Sequence, residues 1–424
     1  MKRALVLGGG GSKGAYHCGV WKSLKENRQK FDVVIGSSIG ALTGAMYLGN
    51  RYKELYQLWH DINVDKVLNN GVNFEFDYDM MMSQKDRFLP MLKAAIKEKG
   101  MDAAPLYQIV TDNCDVKKIK KSKMDFFVIT VEIPNLLPYQ INIKEQEDDL
   151  IPEFLKASSA CFPALPIVTI KDKKYVDGGY FDNLPINTAI EQKAEEIIAV
   201  NLKAPGIIRK PRPNDKRITV IEPYWNLGSM LNFTAEVARR NMVLGYLDGQ
   251  KSFGKLFGYA YTFRKKAKIL DKLAESLAID IGNVNHEKAE KFLPHLQLKL
   301  SSADEELLSF NNKSPKPADY VLRLLEKIME LSDYEPTEVY EVKTVIKEIK
   351  EMMNGIEKVD VKKGVKKLAS NPKKTLQQFE LKKLLFSLAY ELETLDCNVI
   401  CLLYQLFPSE CLAGLLINSI LKMK

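Results

Sequence analysis

Residues Gly36-Ser37-Ser38-Ile39-Gly40 spell G-x-S-x-G, and the letters acquire chemical meaning from what flanks them. A serine on a sharp turn between a strand and a helix projects its hydroxyl above the sheet edge. Glycines such as Gly36 and Gly40 let the two elements pack and a substrate approach. Phe31 to Ile35 reads as a short buried strand, and the small residues from Ile39 onward read as a helix. In that setting Ser38 reads as a nucleophile, and the N-terminus of the following helix favours the negative charge that would develop beside it. A glycine-serine turn without catalytic consequence uses the same letters, so the strand and the helix carry the argument.

A serine hydroxyl is a weak nucleophile and needs a base. The chain has only four histidines. His17 falls inside the first predicted helix, and His60, His286 and His295 sit in helical or charged surroundings without a flanking motif, so each reads as structural. The stronger candidate is Asp177 in "YVDGGYFDNLP" (Tyr175 to Pro185), which ends a predicted strand and meets Gly178 and Gly179, a pair that permits a tight turn. Its carboxylate could reach Ser38 directly. Asp172 and Asp182 are the nearby alternatives, and an aspartate before two glycines also serves simply as a turn former.

A third block, "LVLGGGGSKGAYHCGVW" (Leu5 to Trp21), runs from an apolar strand through Gly8, Gly9, Gly10 and Gly11 into a helix. Bare backbone there brings N–H groups to a negative oxygen. Gly9, Gly11 and Gly14 satisfy G-x-G-x-x-G, which leaves a dinucleotide-binding module as one reading. That module wants an acidic residue at the end of the second strand, whereas Asp32 begins that strand and Gly36 to Ser38 end it. A Walker loop also fails, because no glycine-lysine-Ser/Thr triplet follows the glycines.

Taken in order, "GGGGSKGAY", "GSSIG" and "DGGYFDNLP" resemble the patatin-like phospholipase family. The resemblance implies an oxyanion loop of Gly9, Gly10, Gly11, Ser12, Lys13 and Gly14, Ser38 as nucleophile, and Asp177 as general base in a Ser-Asp dyad that uses no histidine. Lysine stands at position 13 where arginine is commoner, and it lacks the planar fork that braces several carbonyls. "LKASSACFPALPIVTIKDKKYVDGG" (Leu155 to Gly179) and "NFTAEVARRNMVLGYLDG" (Asn232 to Gly249) extend the likeness over roughly residues 1 to 260. It implies hydrolysis of fatty acyl esters of lipids through an acyl-enzyme, with no metal and no cofactor. A catalytically silent scaffold of the same fold is the other alternative, and the intact Ser38 and Asp177 argue against it.

These residues must be positioned by strands that alternate with helices, which predicts a three-layer α/β/α domain with a mostly parallel sheet over 1–260. Further strands are expected at 125–133, 138–144, 167–179, 195–202 and 217–223. "QKDRFLPMLKAAIKEK" (84 to 99) reads as an amphipathic helix stopped by Gly100. With "DYDMMMSQ" (Asp77 to Gln84) it is a candidate lid, although Met80, Met81 and Met82 could equally pack a helix start. Strand signals fade after about residue 225, and an all-helical C-terminal domain of unknown role is expected over 261–424.

The net charge of +8 is a modest excess, and the basic residues scatter apart from a denser loop at Leu202 to Arg217. No aromatic interleaving marks a nucleic-acid groove, so no nucleic-acid partner is expected. The apolar start ends at Leu7, short of a signal-peptide core, and no run is long enough to span a membrane. The six cysteines form no C-x-x-C pair and no zinc-like spacing with histidine, as expected of reduced thiols in a cytoplasmic protein. Apolar helices near the C-terminus allow peripheral membrane contact; protein partners are not specified.

Overall fold

Side-chain alternation along the central strands sorts the core onto two faces of one sheet. Ala4, Val6, Val33 and Ile35 pack on one face with Leu184, Ile186 and Ala189. Leu5, Leu7 and Val34 pack on the other with Tyr16, Val20, Leu24, Ala41 and Ala45. A computed structural model describes residues 1–69, 101–213, 216–284, 316–355, 359–364, 381–391 and 408–423. The candidate lid at 77–84, the helix expected at 84–99, His286, His295, Cys397 and Cys401 lie outside the described residues.

The sheet contains β1 (Arg3–Leu7), β2 (Val33–Ser37), β3 (Asp125–Ile133), β4 (Leu137–Asn142), β5 (Val168–Ile170), β6 (Lys173–Asp177), β7 (Glu196–Val200) and β8 (Arg217–Ile221). Its order is β5-β6-β3-β2-β1-β7-β8, with β4 also paired to β3. The run β3-β2-β1-β7-β8 is parallel throughout, and β4, β5 and β6 add antiparallel pairings. The segment expected as strand over 167–179 is a hairpin, turned at Lys171, whose φ of 53° breaks the extended run.

Helices α1 (Ala15–Glu26), α2 (Ile39–Leu48), α3 (Tyr52–His60), α4 (Ala104–Asn113), α5 (Val116–Lys121), α6 (Leu150–Ser158), α7 (Ile186–Glu191) and α8 (Ala235–Ser252) accompany it. Gly19, inside α1, is there for α8. A Cβ on Gly19 would collide with the Met242 carbonyl, and one on Gly245 with the Tyr16 carbonyl, so the two helix backbones touch. The Tyr16 hydroxyl then donates to Asp248 at 2.7 Å.

One register detail positions the site. Ser37, the last residue of β2, pairs with Ile129 of β3. Asp177, the last residue of β6, pairs with the next residue, Thr130. Because β4 pairs with β3 across both stretches, from Phe127 to Glu132, β2 and β6 must share the opposite edge. They lie in tandem along it, with their C-terminal ends meeting between Ile129 and Thr130.

Contacts divide the chain into two units, Met1–Phe253 and Gly254–Lys424. Among its described residues the second unit carries α9 (Ile269–Val284), α10 (Pro317–Leu331), α11 (Val342–Met353), α12 (Leu381–Glu391) and α13 (Pro408–Lys422). Beyond the helices expected there, it holds a two-residue parallel pairing of Thr262–Phe263 with Val339–Tyr340. Buried Glu326 of α10 accepts from the N–H groups of Tyr259 (2.6 Å) and Tyr261 (3.1 Å), which satisfies backbone donors on the approach to that pair.

Candidate active site

Ser38 joins β2 to α2 with φ 55° and ψ −127°. A non-glycine residue there stores strain of order 1–3 kcal/mol, sustained only when its surroundings fix it. The fixing contacts are visible. The Ser38 N–H donates to Ser158 Oγ at 3.0 Å, the Ser158 hydroxyl donates to the Ile129 carbonyl at 2.6 Å, and the Ser38 carbonyl accepts the Ala41 N–H at 2.8 Å to open α2. A Cβ on Gly36 would lie 2.5 Å from the Ala41 nitrogen, and one on Gly40 would collide with the Leu7 carbonyl. Strand and helix are thus packed too closely for side chains on either side of the serine.

Asp177 is buried, its N–H donates to the Ala160 carbonyl at 3.0 Å, and its Oδ1 accepts the Gly179 N–H at 2.7 Å. Burial raises its pKa to about 6, and hydrogen bonds from the Ser38 side chain and the Gly179 backbone pull it partly back. Gly178 is wedged in behind, since a Cβ there would meet Ser37 Oγ at 2.6 Å. Asp172 is exposed in the β5–β6 turn. Asp182 is buried, but its Oδ1 accepts the N–H groups of Leu184 (3.2 Å) and Arg209 (3.4 Å).

The glycine loop passes directly against the serine, so close that a Cβ on Gly9 would lie 3.0 Å from Ser38 Cβ. Gly8 donates to the Val200 carbonyl at 3.0 Å and Gly9 to the Asn183 carbonyl at 2.9 Å. The N–H groups of Gly10 and Gly11 have no acceptor among the described residues. Next come Ser12, whose N–H donates to the Met230 carbonyl at 2.9 Å, and Lys13, whose N–H donates to the Gly10 carbonyl at 3.2 Å. Lys13 Nζ reaches the Lys203 carbonyl at 3.2 Å, and burial lowers its pKa. Gly14 lies against Ile39 and Trp59, where a side chain would not fit.

Gly11 and Ser38 open onto a narrow cleft whose walls include Leu42, Leu68, Leu106 and Met230. A second, narrow cavity shares Ile39, Leu42, Val67, Leu106 and Phe233 with it and is lined also by Leu55 and Trp59. Both are lined mostly by apolar side chains, and the one that reaches the serine is walled by them. Cys161 also lines the cleft, and burial pushes its thiol up to about 12, so it stays protonated.

The histidines described here do not join the site. His17 is buried, its Nδ1 lies 3.5 Å from Thr43 Oγ1, and burial lowers its pKa to about 3. His60 pairs with Asp61 at 2.7 Å. Among the described residues no group of His, Cys, Asp and Glu is arranged to hold a metal ion, and no helix is long and apolar enough to cross a membrane.

Residues 5–190 match the family model described as patatin-like phospholipase. These residues form a patatin-like phospholipase domain. Patatin-like phospholipase domain-containing protein 6 of Mus musculus is 27% identical over 205 residues, which are 47% of this chain and 13% of that protein. Lysophospholipase NTE1 of Candida albicans is 26% identical over 198 residues, again 47% of this chain and 13% of that protein. The chain therefore spans a small fraction of the length of these relatives. Among solved structures, VipD from Legionella pneumophila is similar over 100% of this chain and 92% of that one, with a TM-score of 0.39 and 16% identity.

Within the patatin-like domain, two residues at the site escape reasoning from motifs. Ser158 accepts the N–H of Ser38, yet in sequence it is one small residue in "KASSACF". Asn183 stands in the quoted "DNLP". Its carbonyl receives Gly9, and its Nδ2 approaches the carbonyls of Gly9 and Pro205, each at 3.4 Å. Proximity to Asp177 was the one available signal for Asn183. Ser158 had none.

Proposed function

We propose that the patatin-like domain is a serine acyl hydrolase that cleaves fatty acyl esters of lipids through a Ser38–Asp177 dyad and an acyl-enzyme. The observation that carries the reading is the meeting of β2 and β6 on adjacent residues of β3, which sets Ser38 beside a buried carboxylate with a pKa of about 6. Asp177 accepts the Ser38 proton as Oγ attacks the ester carbonyl. The tetrahedral oxyanion is held by the N–H groups of Gly10 and Gly11, each such donor being worth about 3 to 4 kcal/mol at the transition state. Collapse expels the alcohol, which takes the proton from Asp177 and leaves the acyl group on Ser38. Water then attacks with Asp177 again as base, and the fatty acid leaves.

The apolar walls beside Ser38, Leu42 and Leu106 among them, support a fatty acyl chain as the group transferred. Against dinucleotide binding, Gly8 and Gly9 already spend their N–H groups on Val200 and Asn183, and β2 ends in the serine turn instead of an acidic residue. The division into a catalytic part ending near residue 260 and a helical remainder belongs to the same proposal.

A fluorophosphonate probe and a short-chain nitrophenyl ester test it on the wild type, Ser38→Ala and Asp177→Asn. Labelling at Ser38 and turnover that falls by about 10³-fold or more in both variants is expected. Full activity in either variant overturns the dyad, and a wild type that neither labels nor turns over favours a silent scaffold. Turnover by a chain ending at residue 260 tests the division.

A further inference from the structure

Between β7 and β8 the chain leaves the sheet and presents, from Pro205 to Lys210, six consecutive exposed residues. Ile207 is 52% and Ile208 45% exposed, which is unusual for adjacent β-branched apolar side chains. Around them are exposed Lys203, Arg209, Lys210 and Arg212. Lys203 pairs with Glu222 at 3.2 Å and Arg212 with Glu191 at 2.9 Å. The Arg209 guanidinium lies over the Phe181 ring at 3.9 Å, and no ion pair engages the Lys210 ammonium among the described residues.

The backbone of this loop is held in place. Ile207 donates to the Gly179 carbonyl at 2.9 Å and accepts the Asn183 N–H at 2.6 Å. Further along, Asn187 Nδ2 donates to the Lys210 carbonyl at 3.0 Å, and the Arg212 N–H donates to Asn187 Oδ1 at 2.8 Å. Pro205, Pro211 and Pro213 restrict it further. The loop thus extends the turn that carries Asp177, because the same Gly179 whose N–H bonds the Asp177 carboxylate gives its carbonyl to Ile207. Exposed Tyr180 (45%) stands beside that junction.

Two fixed apolar side chains rimmed by cations match the layering of a lipid surface, apolar below the headgroups and anionic at the phosphates. We propose that residues 203–212 dock the protein on an anionic bilayer, with Ile207 and Ile208 entering the headgroup–acyl boundary and Lys210 and Arg209 lying at the phosphates. Docking there brings the Asp177 turn to the source of substrate. The inference rests on the reading of the domain as a lipid acyl hydrolase, but vesicle binding is measured apart from turnover.

Binding is tested by co-sedimentation with phosphatidylcholine vesicles, with and without phosphatidylserine, using the 424-residue chain carrying Ser38→Ala so that the vesicles stay intact. Binding to the anionic vesicles that weakens with salt is expected. Ile207→Ser/Ile208→Ser is expected to weaken it by about tenfold or more, Lys210→Ser by several-fold, and Lys210→Arg hardly at all. In the Ser38 background the loop variants are expected to turn over the soluble nitrophenyl ester like the wild type, which also shows that they fold. No binding by the parent, equal binding to neutral vesicles, or undiminished binding by both loop variants overturns the docking surface. Loop-dependent binding in a protein without esterase activity sustains the surface and fails the hydrolase reading instead.

Discussion

Ser38 and Asp177 face each other because the strands that deliver them end on neighbouring residues of a third strand, Ile129 and Thr130 of β3. Gly178 sits in the gap between those ends, against the Ile129 carbonyl and Ser37 Oγ. A methyl group there has to push the strand ends apart. Gly178→Ala is therefore expected to lower kcat/KM on a soluble ester by about 100-fold or more, since small misplacements of reacting groups are that costly. Steady-state kinetics beside a thermal melt checks it, and an active Gly178→Ala enzyme would mean that the dyad does not depend on this junction.

The pH profile follows from burial. Asp177 must be ionised to act as base, and its pKa is raised from 3.8 to about 6. The value of kcat/KM is expected to fall about tenfold per unit as pH drops below about 6. A base with an ordinary carboxylate pKa would hold activity down to about pH 4.

Stability moves in the opposite direction. With the folded pKa above the unfolded one, the folded state binds the proton more tightly, so the contribution of Asp177 is fully present below about pH 4 and is lost as pH rises through about 6. Asp177→Asn, which needs no ionisation, is expected to be more stable than wild type at pH 8 by roughly 2 to 3 kcal/mol, from a shift of about two units at 1.36 kcal/mol each. The gain should vanish near pH 4. Denaturant melts at the two pH values measure it, and an equal difference at both would remove burial of the charge as the cause.

Gly9 and Asn183 should couple. A Cβ on Gly9 would overlap Asn183 Oδ1 and stand 3.0 Å from Ser38 Cβ. Gly9→Ala is expected to lose both stability and activity. Adding Asn183→Ala should return part of the stability, because the overlapping side chain is gone, and none of the activity, because the crowding at Ser38 persists. A double-mutant cycle read by melts and by kinetics separates the two.

Ser158→Ala removes the acceptor of the Ser38 N–H and a donor to the Ile129 carbonyl, both buried. A loss of about 1 to 3 kcal/mol is expected from the unsatisfied groups, with a fall in turnover as the strained elbow loosens. Wild-type stability in Ser158→Ala would show that the elbow is held elsewhere.

Local order made part of this legible in the sequence. The strands around 3–7, 33–37, 125–133 and 196–200 show as apolar runs, and the elbow and the D-G-G turn carry their own punctuation. Long-range register leaves no such mark. Nothing in "DFFVITVEI" shows that its first half takes β2 and its second half β6 on one edge. The 167–179 segment likewise looked continuous because its turn is made by Lys171 and Asp172, without the glycine that usually advertises φ above zero. Ser158 acts through a single hydroxyl that α6 happens to aim at residue 38, an alignment that exists only after the helix has packed on β3.

The shared edge of β3 also has a meaning in time. Contacts between residues far apart in the chain form late, after the intervening segments have closed. On a ribosome, Ser38 and the glycine loop emerge long before Asp177 does, and until β6 takes its place beside β3 the hydroxyl lacks its neighbouring carboxylate. If the proposed dyad is right, reactivity toward esters arrives as one of the last products of folding, and a chain halted before residue 177 has none.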